Sequence, residues 1–343
     1  MSKRIVIFVS LLLAAAFIMT GCAQQAAPAA APTAAPAAGS ESSTGAPEEY
    51  VVVALNWQHP YWIDIRTGGE YFQKVMGDKV KVTFAGPEGL DFPGEVDAVQ
   101  QQIAKKPAGM LVAAFDPGVV PAINQAIEAG IPVGTFESDV PKGNKRWFFV
   151  GVNAYNAGAA MGPELIKAMG DSGKIVISTN VGASNSEEKI RGLQDFLKDY
   201  PNIQVVATVD DKALVKDGSD ALKPVLQANP DVKAIVGVNA ASGGAAATAV
   251  KELGLVGKVK IVCQDRDDIT LNFIKEGVID STIVTRTADN TYVGLLLLYQ
   301  YNHFNVPITA DNAKNNVNWL PSNVDVGTIV VNKDNADAFF HTK

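Results

Sequence analysis

The sequence predicts an α/β protein of two doubly wound lobes, each a parallel sheet covered by helices on both faces. Three observations carry this. Short apolar runs rich in β-branched residues alternate with helical segments along nearly the whole chain. The strand segments are continuously apolar rather than alternating, as in sheets buried on both faces. About ten such units are present, more than one open sheet comfortably holds, so two sheets are expected. With 343 residues, 47% hydrophobic and 19% charged, the chain has material for two cores and too much apolar content for general disorder.

The first unit is a strand over 50–55, built on Val51-Val52-Val53, then a polar and aromatic loop, then a helix over 61–75. Strands follow over 80–85, 110–114, 132–136 and 148–152, with helices over 95–105 and 119–129 between the earlier ones. A second series places strands over 175–179, 203–209, 234–238, 259–264 and 281–284. Helices over 157–169, 187–199, 221–227, 245–253 and 269–276 separate them. Ligands of such sheets bind beyond the carboxyl ends of the strands, so the residues just after each strand are the candidates.

After the first strand stand Asn56, Trp57, Gln58, His59, Pro60, Tyr61 and Trp62. A flat aromatic ring suits the C–H face of a sugar, and amides and imidazole suit its hydroxyls; the alternative for Tyr61 and Trp62 is packing beneath the helix as a hydrophobic staple. If Trp62 is a stacking platform, Trp62→Ala should weaken binding and leave the body folded. Glu137, Ser138 and Asp139 follow the fourth strand, as a solvated loop or as acceptors for hydroxyl donors. Asn239 follows another apolar run, with an Asx turn or helix cap as its alternative. Asp265 follows the strand over 260–264, with Arg266, Asp267 and Asp268 behind it, where a local Asp-Arg pair or a cap is the competing role.

Charge and composition exclude several classes. The formal net charge is −7 and no block of like charge forms a basic stripe, which argues against a nucleic-acid partner. Two cysteines, Cys22 and Cys263, are too few for a disulfide framework or a zinc site. No G-x-S-x-G, H-E-x-x-H, G-x-x-x-x-G-K-[ST] or G-x-G-x-x-G motif occurs, and His59, His303 and His341 are the only histidines. Neither an enzyme nor a bound cofactor or metal is expected, although Glu137 and Asp139 are the pair that acid–base work on a glycoside would use.

The amino terminus reads as an export signal. Lys3 and Arg4 precede an apolar run over 5–19 interrupted only by Ser10, shorter than the ~20 residues of a bilayer span. Met19-Thr20-Gly21-Cys22 resembles the lipobox of bacterial lipoproteins, with Met19 in place of the more usual Leu. The resemblance implies cleavage before Cys22 and a diacylglycerol on its thiol. Over 23–47, Ala and Pro make up 15 of the 25 residues, a spacer rather than a core-forming segment.

Six segments taken in order resemble the ribose-binding-like, or type I, family of periplasmic sugar-binding proteins. They are LNWQHPYWIDIRTGG at 55–69, GIPVGTFESDVP at 130–141, FVGVNAYNAG at 149–158, GASNSEEKIRG at 182–192, PDVKAIVGVN at 230–239 and IVCQD at 261–265. The resemblance implies solute receptors of ABC importers: monomers of two lobes joined by a three-crossover hinge, closing on a sugar. It places ligand contacts on His59, Tyr61, Trp62, Glu137, Asn239 and Asp265, with Asn56 and Asp139 beside them. Ribose binders carry arginines where this chain has Ser138 and Glu187, and a glutamine where it has Thr285 followed by Arg286. Glu187 also fits a capping box; Lys189, Arg191 or Arg286 are left to supply a cation. The implied crossovers near 152–153, 285–286 and 323–325 divide the chain into a signal peptide (1–21), a lipidated tether (22–47), an N-terminal lobe (48–152 with 286–323) and a C-terminal lobe (153–285 with 324–343).

The expected function is therefore an extracytoplasmic, lipid-anchored receptor that binds a monosaccharide or polyol and delivers it to an ABC permease. The alternatives are a receptor reporting its sugar to a chemotaxis or kinase ectodomain, and a glycoside-acting enzyme. If Ser138 and Glu187 leave an acceptor-rich site, a hexopyranose or cyclic polyol should be preferred over ribose.

Overall fold

The computed structural model describes residues 45–58, 61–140, 142–315 and 317–340. The expected export signal, Cys22 and most of the expected spacer lie outside the described residues. No helix among those described is long and apolar enough to cross a membrane.

In chain order the elements begin β1 (Glu48–Val53), α1 (Trp62–Met76), β2 (Val80–Ala85), α2 (Phe92–Lys105), β3 (Gly109–Val112), α3 (Val120–Glu128), β4 (Val133–Phe136) and β5 (Phe149–Gly151). The second series is α4 (Ala154–Met169), β6 (Gly173–Thr179), α5 (Ser184–Leu197), β7 (Ile203–Asp210), α6 (Val215–Ala228), β8 (Val232–Gly237), α7 (Ala240–Glu252), β9 (Lys260–Gln264), α8 (Asp268–Lys275) and β10 (Ser281–Thr285). The chain then runs through α9 (Thr287–His303), β11 (Asn323–Asp325) and β12 (Thr328–Asn332).

Among the described residues these strands form two six-stranded sheets, ordered β11-β5-β4-β3-β1-β2 and β12-β10-β9-β8-β6-β7. Every neighbouring pair is parallel except β10 with β12. The two orders correspond strand for strand, so each position in one sheet has an equivalent in the other. This is the doubly wound, two-lobed fold of type I periplasmic binding proteins.

Both faces of each sheet are covered because successive strand residues point to opposite sides. Tyr50 and Val52 of β1 join the core beneath α1 and α9, whereas Val51 and Val53 join the core beneath α2 and α3. In the second sheet Ile175 and Ile177 face α4 and α5, and Val176 faces α6, α7 and α8.

The chain passes between sheets three times: after β5 at Val152-Asn153, at Arg286 between β10 and α9, and at Val326-Gly327 between β11 and β12. The last passage falls later than the expected boundary at 323–324. β11 pairs with β5 through Asp325, and the Val326 N–H still bonds to Gly151 O at 3.0 Å.

α9, β11 and β12 were absent from the sequence-based expectation. The run Leu295-Leu296-Leu297-Leu298 in α9 has no one-sided periodicity, because the helix packs on the first sheet on one side and α1 on another. α1 approaches α9 so closely that a Cβ at Gly68 would lie 2.1 Å from Ala288 O.

One buried acid stands outside the strand ends. Glu95, in the first turn of α2, is 0% exposed, and neither of its carboxyl oxygens has a hydrogen-bond partner among the described residues. Burial, reinforced by the charge of Asp116, pushes its pKa up to about 8. The folded protein therefore keeps a proton that the unfolded chain has released, and stability falls as pH rises from about 4.5 towards 8. Glu95→Gln is expected to raise the melting temperature by several degrees at pH 8 and to leave it nearly unchanged at pH 4.5. Calorimetry that found equal shifts at both pH values would show that this carboxyl is not held protonated.

Candidate functional site

The carboxyl ends of the strands open onto a cavity of about 390 Å³ between the lobes. From the first lobe it is lined by Asn56 after β1, Tyr61 and Trp62 at the start of α1, Phe115 after β3 and Glu137 after β4; from the second, by Asn185 and Lys189 of α5, Gln264 and Asp265 at the end of β9, and Thr285 of β10.

Glu137 and Asp265 occupy equivalent places, one residue beyond the third strand of each sheet. Their backbones match as well. The Glu137 N–H bonds to Val150 O of the next strand and the Asp265 N–H to Ile283 O, both at 3.0 Å. Each residue is also held at positive φ, 66° for Glu137 and 71° for Asp265. At Glu137 the Ser138 N–H reaches back to Phe136 O at 2.7 Å, closing a γ-turn of the rarer positive-φ kind. At Asp265 the Thr282 hydroxyl donates to the backbone carbonyl at 2.6 Å. A non-glycine residue held this way costs ~1–3 kcal/mol and persists only where its surroundings over-determine it.

The carboxylates are supported differently. Tyr61 Oη donates to Glu137 Oε1, and Asn290 Nδ2 of α9 donates to Oε2 at 2.6 Å. Burial raises the Glu137 pKa to about 7 against these bonds, with the charge of Asp265 adding to the rise and that of Lys189 opposing it. Asp265 is likewise raised by burial and held down by Lys189. Lys189, 8% exposed, is lowered by burial, while Asp265 and Glu137 favour its charged form. Its ammonium donates to Val238 O at 3.4 Å. α5 can bring it here because Gly158 on α4 has no side chain: a Cβ there would lie 1.8 Å from Lys189 O.

Trp62 is 5% exposed. Four aromatic rings surround it edge-on, with centroids at 5.8 Å for Trp57 and Tyr61, 6.2 Å for Phe115 and 6.3 Å for Phe136. The ring belongs to the first-lobe core, and its remaining surface lines the cavity.

Of the candidates from the sequence, Asn56, Tyr61, Trp62, Glu137, Lys189 and Asp265 come together on the cavity wall. His59 and Pro60 lie outside the described residues. Asp139, Asn239 and Arg286 are not on the wall, and each has a structural partner instead. Asp139 takes a bidentate fork from Arg146, at 2.7 and 2.5 Å, and the Thr135 hydroxyl at 2.7 Å. Asn239 caps α7 and donates to the buried Asp211 at 2.8 Å. Arg286 pairs with Asp289 on the first turn of α9 at 2.7 Å. Glu187 is exposed, so the cation facing the carboxylates is Lys189, two residues further along α5. Of the three cations left open by the sequence, Lys189 lines the cavity alongside Glu137 and Asp265.

Sequence reasoning missed Asn185, Gln264, Phe115 and the supporting Asn290. The strand-end rule could have found Gln264 and Phe115. Gln264 Oε1 is buried with no partner among the described residues, an acceptor on a residue that lines the cavity. Asn290 carries no local signal, because only the packing of α9 brings it to Glu137. Cys263, behind this wall, is buried and its thiol is pushed up to about 12, which leaves it a core residue rather than a nucleophile. Among the described residues no group of His, Cys, Asp and Glu is arranged to hold a metal ion.

Comparison with known proteins matches residues 50–303 to the periplasmic binding protein domain. The D-allose-binding periplasmic protein of Escherichia coli K12 is 26% identical over 267 residues, covering 75% of this chain and 85% of that protein. The structure of AraP, an arabinose-binding protein from Geobacillus stearothermophilus, aligns at 33% identity and a TM-score of 0.79, covering 86% of this chain and all of that one. The XylFII–LytSN complex includes a chain at 27% identity and a TM-score of 0.65, covering 84% of this chain and 99% of that one.

Proposed function

This chain belongs to the periplasmic binding protein domain family, and from that premise we propose that it captures a neutral monosaccharide or polyol between its lobes and delivers it to an ABC permease. The observation that carries the reading is the pair Glu137 and Asp265, presented from equivalent positions of the two sheets towards one cavity that also holds Lys189, Tyr61 and Trp62. Carboxylates accept from sugar hydroxyls, an ammonium donates to them, and an aromatic ring covers the C–H face. A ligand that bonds to both lobes stabilises the state in which they are together, so binding and closure are one equilibrium. With Lys189 in the site both donors and acceptors are available, which removes the argument against pentoses, and the allose- and arabinose-binding relatives bracket the sizes to test.

Family membership implies an extracytoplasmic location. Attachment through a lipidated Cys22, with the segment over 23–47 as tether, completes the proposal, as does a monomer working without a cofactor. A thermal-shift panel of L-arabinose, D-ribose, D-allose, D-glucose, D-galactose and inositol, followed by calorimetry on the best responder, is expected to yield one tight ligand. Small-angle scattering should then show a smaller radius of gyration with that ligand bound. A panel with no responder sinks the sugar reading, and tight binding with an unchanged curve sinks closure.

The likeness to a protein solved in complex with a second protein favours one further reading, a receptor that reports the sugar to a sensor partner. Deleting the gene separates the two. Loss of labelled-sugar uptake supports delivery to a permease; intact uptake with a lost transcriptional response to the sugar supports the sensor.

A further inference from the structure

Among the described residues one ion pair joins the two lobes, beside the crossover into α9. Arg266, which follows Asp265 in the second lobe, donates through Nη2 to Oδ2 of Asp64, two residues after Trp62 on α1 of the first lobe. Both side chains are 19% exposed. Each end is also tied to its surroundings. Asp64 Oδ2 accepts from the Thr287 hydroxyl at 3.2 Å, where the chain has just crossed from β10 into α9. Arg266 Nη1 donates to Phe339 O at 2.6 Å, in the segment that follows β12. The neighbouring acid Asp267 caps α8 by accepting from the Thr270 N–H at 2.8 Å.

The geometry points to Asp64 and Arg266 as a positioning pair that draws the lobes together before any ligand binds, and so sets the fraction of molecules competent to close. A contact between rigid bodies that exists only when they are together shifts the open–closed equilibrium by its own free energy, whatever occupies the cavity. The pair is well placed for this: it is partly shielded from solvent, held at both ends by other hydrogen bonds, and adjacent in sequence to wall residues on both lobes. Because its attraction is coulombic and both side chains are partly exposed, salt weakens it. Apparent affinity for an uncharged ligand then depends on ionic strength, although the ligand carries no charge for salt to screen.

The inference is tested on the ligand-free protein, so it stands or falls independently of the sugar reading. Small-angle scattering of the wild type at low and high salt is compared with Arg266→Ala and with Asp64→Asn, which keeps an acceptor for Thr287 and removes the charge. The wild type at low salt is expected to be the most compact, each variant and the high-salt wild type more open, and the charge-reversed double variant D64R/R266D compact again. A shift of about fivefold to tenfold in the open-to-closed ratio is expected from a partly buried pair. Melting curves check that each variant is folded, and Asp64→Asn keeps the test alive if Arg266→Ala is not. Identical scattering from the wild type and Asp64→Asn at low salt, with no response of the wild type to salt, would overturn the inference.

Discussion

Glu137→Ala is expected to weaken monosaccharide binding by roughly 100-fold or more, measured by calorimetry with the tightest sugar of the panel. Both oxygens of this carboxylate are engaged, by Tyr61 Oη and by Asn290 Nδ2 at 2.6 Å. Truncation leaves two donors without their acceptor at the cavity wall, at ~1–3 kcal/mol each. It also removes the charge-assisted acceptor for the ligand and leaves Lys189 with one counter-charge fewer. About 2.8 kcal/mol corresponds to 100-fold. Glu137→Gln keeps the shape and one acceptor, so its loss should be smaller.

The two variants also separate charge from shape through pH. With the free pKa raised to about 7, wild-type affinity should rise as pH passes upward through that value, because hydroxyl donors favour the carboxylate. Glu137→Gln should abolish that rise. The stability effect has the opposite sign. A raised folded pKa stabilises the free protein below the unfolded value near 4.5, and that contribution is lost as pH climbs towards 7. Affinity that is flat between pH 6 and 8 in the wild type would remove Glu137 from ligand contact.

Trp62→Ala is expected to lower the melting temperature of the first lobe by roughly 10 °C while leaving it folded at room temperature. Removing a buried tryptophan costs ~3–5 kcal/mol, and in chains of this size each kcal/mol moves the transition by ~2–4 °C. The ring is 5% exposed and four aromatic neighbours lean on it. Trp62→Phe retains much of that packing and should separate the two roles, losing less stability than affinity if the indole ring covers a sugar face. A melting curve unchanged by Trp62→Ala would return this residue to a stacking role alone.

The strands β1 to β10, the two-lobed architecture and the strand-end positions of Glu137 and Asp265 were legible in the sequence. Each depends on properties local to a few residues: β-branched apolar runs, their alternation with helices, and the rule that parallel strands present their following residues to one edge. Local signals end where a side chain must choose between partners. Asp139 shares the strand-end signature of Glu137, but Arg146, seven residues on, takes both of its oxygens. Asn239 reads equally as ligand contact or cap, and the buried Asp211 accepts its amide. Glu187 and Lys189 lie two residues apart on one helix, and only the seating of α5 on Gly158 turns Lys189 into the cleft and leaves Glu187 outside. Asp64 and Arg266 are 202 residues apart in the chain. No periodicity or spacing can join them, because what brings them together is the return of the chain through its crossovers. The sequence by itself thus determined which residues stand at the ends of the strands, and the tertiary structure alone decided which of them face one another across the cleft.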